Sequence, residues 1–88
     1  MNKTRRKELM EWVQRVEKWT AQGESLKYAL ENICDDEQDY FNSMPEGFQC
    51  GQRGMDAEDA IDAMNEAMES IDIAIDSAEE SISCIMNI

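Results

Sequence analysis

The chain contains no histidine and a single proline, and from Asp56 to Ile88 it has no lysine, arginine, glycine or proline. Without imidazole there is no ready general base and no neutral nitrogen ligand for a transition metal. The three cysteines, Cys34, Cys50 and Cys84, stand 16 and 34 residues apart. That spacing is not the paired spacing of a zinc or redox site, and an odd number argues against a disulfide framework. No apolar run approaches the roughly 20 residues of a membrane span. No apolar stretch follows the basic start, Met1 to Lys7, so the expected setting is the reducing cytoplasm of a cell, with no membrane contact. There is also no glycine-rich phosphate loop, dinucleotide fingerprint or Ser/His/Asp set. These absences together point away from an enzyme and from any cofactor or metal.

What the last third does contain is an apolar seven-residue repeat. Ile61, Met68, Ile75 and Ile82 form one row, and Met64, Ile71, Ala78 and Ile85 form the second. Spacing that alternates three and four is the seam of a helix packed on another helix. A flanking row, Ala60, Ala67, Ala74 and Ser81, is uniformly small. Upstream, the positions 9, 16, 23, 30 and 37, with 12, 19, 26, 33 and 40, repeat at the same interval and cross Gly23 without losing register. One helix over about residues 4–42 is therefore expected, started by Asn2 or Thr4 and weakened by about 1 kcal/mol at Gly23.

Pro45 ends that helix, because it lacks an amide hydrogen and disfavours helical geometry at Met44. Gly47, Gly51 and Gly54 mark a turn over about 43–55 with mobile edges. Asp56 is the expected cap of a second helix, about 56–86. The predicted architecture for residues 1–88 is thus all-α, one domain, a long antiparallel helical hairpin with a coiled-coil-like seam. Folding about Phe48–Gln49 pairs Trp12 with Ile85, Trp19 with Ala78, Gly23 with Ala74 and Leu26 with Ile71. A thin hairpin buries only one stripe per helix, and Val13, Ala60 and Ala67 are expected to stay uncovered. Dimerisation into a four-helix bundle would complete the core.

Charge is distributed unevenly. Residues 1–27 carry seven Lys/Arg against four Asp/Glu, whereas residues 28–88 carry one Arg against sixteen acids, and the whole chain has net charge −12. Direct nucleic-acid binding is disfavoured, although Lys3, Arg5, Arg6 and Lys7 form a basic start. A protein partner with a basic surface fits better. The candidate face is Asp59, Asp62, Glu66, Glu69, Asp72, Asp76 and Glu79, which recur at steps of three and four. Such acids fall about 5–6 Å apart along the axis and can imitate phosphates, or they can simply keep the helix soluble. Trp12 and Trp19, one repeat apart, are the alternative anchors, being core residues or aromatic contacts for a second protein.

The stretch Asp36-Glu37-Gln38-Asp39-Tyr40-Phe41-Asn42-Ser43-Met44-Pro45-Glu46, then Gln52-Arg53-Gly54-Met55, then the repeated Ala-Ile-Asp at 60–62 and 74–76 resembles a set of small acidic proteins carried by phages and mobile elements of Gram-positive bacteria. The resemblance covers roughly residues 30–80 and departs at Phe41, at Gly47-Phe48, and in having Met where Leu is common. It implies a helical hairpin of mobile-element origin, and it carries no catalytic residue.

Two other patterns weaken on inspection. Residues 35–46 place oxygens at positions 1, 3, 5, 9 and 12 of a calcium loop, but Tyr40 stands where the sharp turn needs Gly and Pro45 where a helix should begin. Cys50 is an exposed thiol near Arg53 with no base to activate it, and Cys34 reads as a small core residue. Two readings of function follow. One is a non-enzymatic inhibitor or modulator of a host nucleic-acid-handling or defence protein, using the acidic helix as a nucleic-acid mimic. The other is a self-associating structural or assembly protein.

Overall fold

Asn2 starts the first helix. Its Oδ1 accepts a hydrogen bond from the Arg5 amide at 2.8 Å, satisfying one of the donors that a helix start leaves free. In the computed structural model, which describes all 88 residues, helix α1 runs unbroken over Lys3–Asn42. Gly23 lies inside it with helical backbone, as the uninterrupted register predicts. The helix stops at Ser43, whose amide and hydroxyl both donate to the Asp39 carbonyl, at 3.0 and 2.8 Å.

The turn differs from expectation. Glu46–Gln49 forms a single helical turn, α2, and the second long helix, α3, spans Gln52–Met86. It begins four residues before Asp56, which is not its cap; Gly51 occupies that place, and the Asp56 carboxylate accepts from Gln52 Nε2 at 2.7 Å. The turn is also tied down. Gln49 donates to the Phe41 carbonyl at 3.0 Å, and buried Gly54 packs directly on the Gln49 backbone. Only a residue without Cβ allows that approach.

α1 and α3 lie antiparallel along a rod of 69 × 15 × 14 Å, with no strand. Gly23 faces Ile75, Lys27 faces Asp72 and Cys34 faces Asn65, one or two residues away from the expected pairing, because α2 takes up chain in the turn. On α3 both expected rows turn inward: Ile61 and Ile75 are buried, and Met64, Met68, Ile71, Ala78, Ile82 and Ile85 are half-buried.

On α1 only one row is as expected. Leu9, Val16, Gly23, Leu30 and Glu37 are half-buried, but the second inward row is Val13, Thr20, Lys27, Cys34 and Phe41. The expected row, Trp12, Trp19, Leu26, Ile33 and Tyr40, is exposed throughout. Size explains the exchange where the indoles lie. Helix axes that pack at about 8–10 Å leave room for Val13 and Thr20 between them, not for Trp12 and Trp19. The one aromatic on the inward row, Phe41, lies beside the turn. Val13, expected to be uncovered, is among the most buried residues at 3% exposure; Ala60 is half-buried, and Ala67 is open.

Candidate interaction surfaces

Helical periodicity divides α3 into two sides. To one side of the seam lie all the acids of α3 but Asp56: Asp59, Glu66 and Glu80, then Asp62, Glu69 and Asp76, then Glu58, Asp72 and Glu79. To the other side lie Ala60, Ala67, Ala74 and Ser81, and beyond them Ala63, Ser70, Ser77 and Cys84. Of the seven acids expected to meet a partner, Asp59, Asp62, Glu66, Glu69, Asp76 and Glu79 are exposed. Asp72 differs, being half-buried and paired with Lys27 Nζ at 2.7 Å. That hydrogen-bonded carboxylate holds the Lys27 ammonium above its ordinary value of 10.5, against the lowering effect of burial. The ridge is interrupted by two exposed uncharged residues, Asn65 and Ile73.

The opposite side of the hairpin is apolar. The row Trp12, Trp19, Leu26, Ile33 and Tyr40 on α1 borders the small row of α3, and shallow hollows run between them. One is lined by Trp12, Val16, Trp19, Ala78 and Ser81 with Arg15 at its rim; the next by Trp19, Gly23, Leu26, Ile71, Ala74 and Ile75. The sequence points to Trp12 and Trp19 as alternative anchors. It does not single out Leu26, Ile33 and Tyr40 as their outward continuation, although the seven-residue interval carries that signal.

Elsewhere the chemistry is sparse. Glu58 and Asp62 share a hollow with Gln38 and Phe41, but both carboxylates are exposed, whereas paired-carboxyl catalysis needs one of them desolvated. Residues 35–42, the start of the calcium-like pattern, are helical, so their side chains radiate instead of converging. No three Cys, Asp or Glu side chains gather where a metal ion would sit. Cys34 is buried and its thiol points to Asn65 Oδ1 at 3.8 Å; Cys50 and Cys84 are exposed, and all three are free. No helix is long and apolar enough to cross a membrane. A scan against protein-family models matched none, and searches of curated proteins and of solved structures returned no match to this chain.

Proposed function

We propose that this chain is a non-enzymatic protein-binding module that works as a homodimeric four-helix bundle and offers its acidic ridge to a basic groove on another protein. Following the resemblance of residues 30–80, we read it as a mobile-element inhibitor or modulator of a host nucleic-acid-handling or defence protein, acting in the host cytoplasm as a nucleic-acid mimic. One observation carries the reading. From Glu58 onward the acids of α3 segregate to the side away from the apolar face, and Asp72 alone among them has an ion-pair partner within the chain. The ridge therefore keeps its charge for an external cation-rich surface, and a long-range field of that sign steers such a surface toward it.

The test compares the natural chain with a variant carrying Asp62→Asn, Glu66→Gln, Glu69→Gln and Asp76→Asn. Both are used to capture proteins from a Gram-positive host lysate. The expected result is a basic protein that binds the natural chain, is displaced by duplex DNA, is lost between about 50 and 500 mM salt, and is not retained by the variant. Capture that survives neutralisation rejects the mimic. A self-associating structural or assembly protein is the alternative reading, favoured by the exposed aromatic row; it is upheld by a bundle that assembles normally and retains no salt-sensitive partner.

A further inference from the structure

The open row on α1 has the dimensions of an interface. Its five large side chains are 38% to 66% exposed, and from Trp12 to Tyr40 they span roughly 42 Å of helix. Across a rod about 14 Å wide, that face covers roughly 600 Å² per copy and about 1,200 Å² for a pair. This meets the lower bound for a stable specific interface, and it equals the largest apolar patches that monomers leave uncovered.

We propose that this face is covered by a second copy of the chain with both turns at the same end, so that the bulky row of each α1 seats on the small row of the other α3. The proposal rests on the dimeric reading above and specifies its surface and orientation. The two faces can stack in two ways. With turns at the same end, a half-turn about the long axis sets large against small: Leu26, level with Ala74 in its own hairpin, meets the partner copy's Ala74 row, and Trp19, level with Ala78 and Ser81, meets that stretch of the second copy. With turns at opposite ends, indole would face phenol along α1 while alanine faced serine along α3, and one side of the bundle would be propped open.

Charge alone favours the inverted arrangement. Around the turn, residues 35–62 carry nine acids against Arg53, whereas residues 1–18 with 79–88 carry six Lys/Arg against five acids. Of these acids Glu58, Asp59 and Asp62 sit on the side away from the apolar face, however, and at physiological ionic strength the field of the others fades over about 8 Å. Packing therefore sets the orientation. A basic protein is a poorer occupant of this face, since the small side of α3 from Ala60 to Cys84 offers it no carboxylate.

The experiment uses the full chain with Cys50→Ser and Cys84→Ser, both exposed, so that new thiols report alone. Light scattering should give twice the 10.1 kDa chain mass. Leu26→Cys and Ala74→Cys chains, prepared separately, are mixed, unfolded and refolded together under reducing conditions, and mild oxidant is added only after refolding, when the remaining Cys34 is buried. The expected result is a linked pair in the mixture and none from Leu26→Cys alone. Trp19→Glu should weaken association by about 30-fold or more. A chain that stays monomeric overturns both the dimeric reading and this face. A dimer whose association is unchanged by Trp19→Glu overturns the face while the dimer stands. Efficient self-linking of Leu26→Cys, which only the inverted pair brings together, overturns the orientation.

Discussion

Two glycines show how the same residue type answers different demands. At Gly23 an added Cβ would lie 3.4 Å from Ile75 Cγ1 and Cδ1, ordinary contact in an otherwise helical setting. Gly23→Ala should therefore stabilise the fold by about 1 kcal/mol, through helix propensity and a less free unfolded chain, and thermal melting should rise by about 4–8 °C. At Gly54 a Cβ would land on the Gln49 carbonyl, 2.6 Å from its Cα. Gly54→Ala must shift backbone, so a loss of about 1–3 kcal/mol is expected in denaturant titration. Gly23 is legible in the sequence, because the repeat passes through it. Gly54 is not, since in sequence it is one more turn glycine and its role depends on the backbone of Gln49 arriving from α2. Lys27 is equally hidden: a cation on an inward row is explained only by Asp72 across the seam. The sign of its pH effect follows from its raised pKa. The pair's contribution is complete below about 10.5 and disappears as pH rises through the higher folded value. The stability gap between the natural chain and Lys27→Met should therefore close on titrating from pH 9 to strongly alkaline solution, followed by denaturant unfolding.

At the scale of the elements, the inward face of α3 is legible in the sequence and that of α1 only in part. On α3 the apolar rows stand alone, with acids or small residues on either side, so periodicity identifies the inward face without ambiguity. On α1 two adjacent rows compete for the same place. Hydrophobicity favours Trp12, Trp19, Leu26, Ile33 and Tyr40, whereas the space between close helices selects Val13, Thr20, Cys34 and the stem of Lys27. A pattern of apolar residues does not encode the interaxial distance that decides between them. The start of α3 is hidden for a related reason: Asp56 is a good cap in isolation, but the α2 turn and the Gly54 contact let the helix begin at Gln52. The two sides of α3 yield a direct check. Ile75 is 5% exposed and Ile73 is 61% exposed. Ile75→Ala should lose about 2–5 kcal/mol, and Ile73→Ala should stay within about 0.5 kcal/mol; equal losses would mean that the seam has been drawn on the wrong side.

For the whole molecule, charge acts on stability and on recognition with opposite signs. The acids of α3 repeat at intervals of three and four with no cation on the same helix after Arg53, so neighbouring like charges along it are destabilising by a few tenths of a kcal/mol per pair. Added salt screens that repulsion, whereas the single Lys27–Asp72 pair is too small a counterweight to reverse the trend. The melting temperature of the hairpin should therefore rise between about 50 and 500 mM salt. Binding to a basic groove should fall over the same range, because the attraction being screened is then between molecules. Replacing Asp62, Glu66, Glu69 and Asp76 by their amides removes the cause of both effects. The variant should melt higher than the natural chain at low salt, show a flatter salt dependence of melting, and lose the salt-sensitive partner. A protein whose melting falls with salt would place the dominant charge interactions inside the hairpin, and the acidic ridge would then be part of its own framework instead of a surface held ready for another molecule.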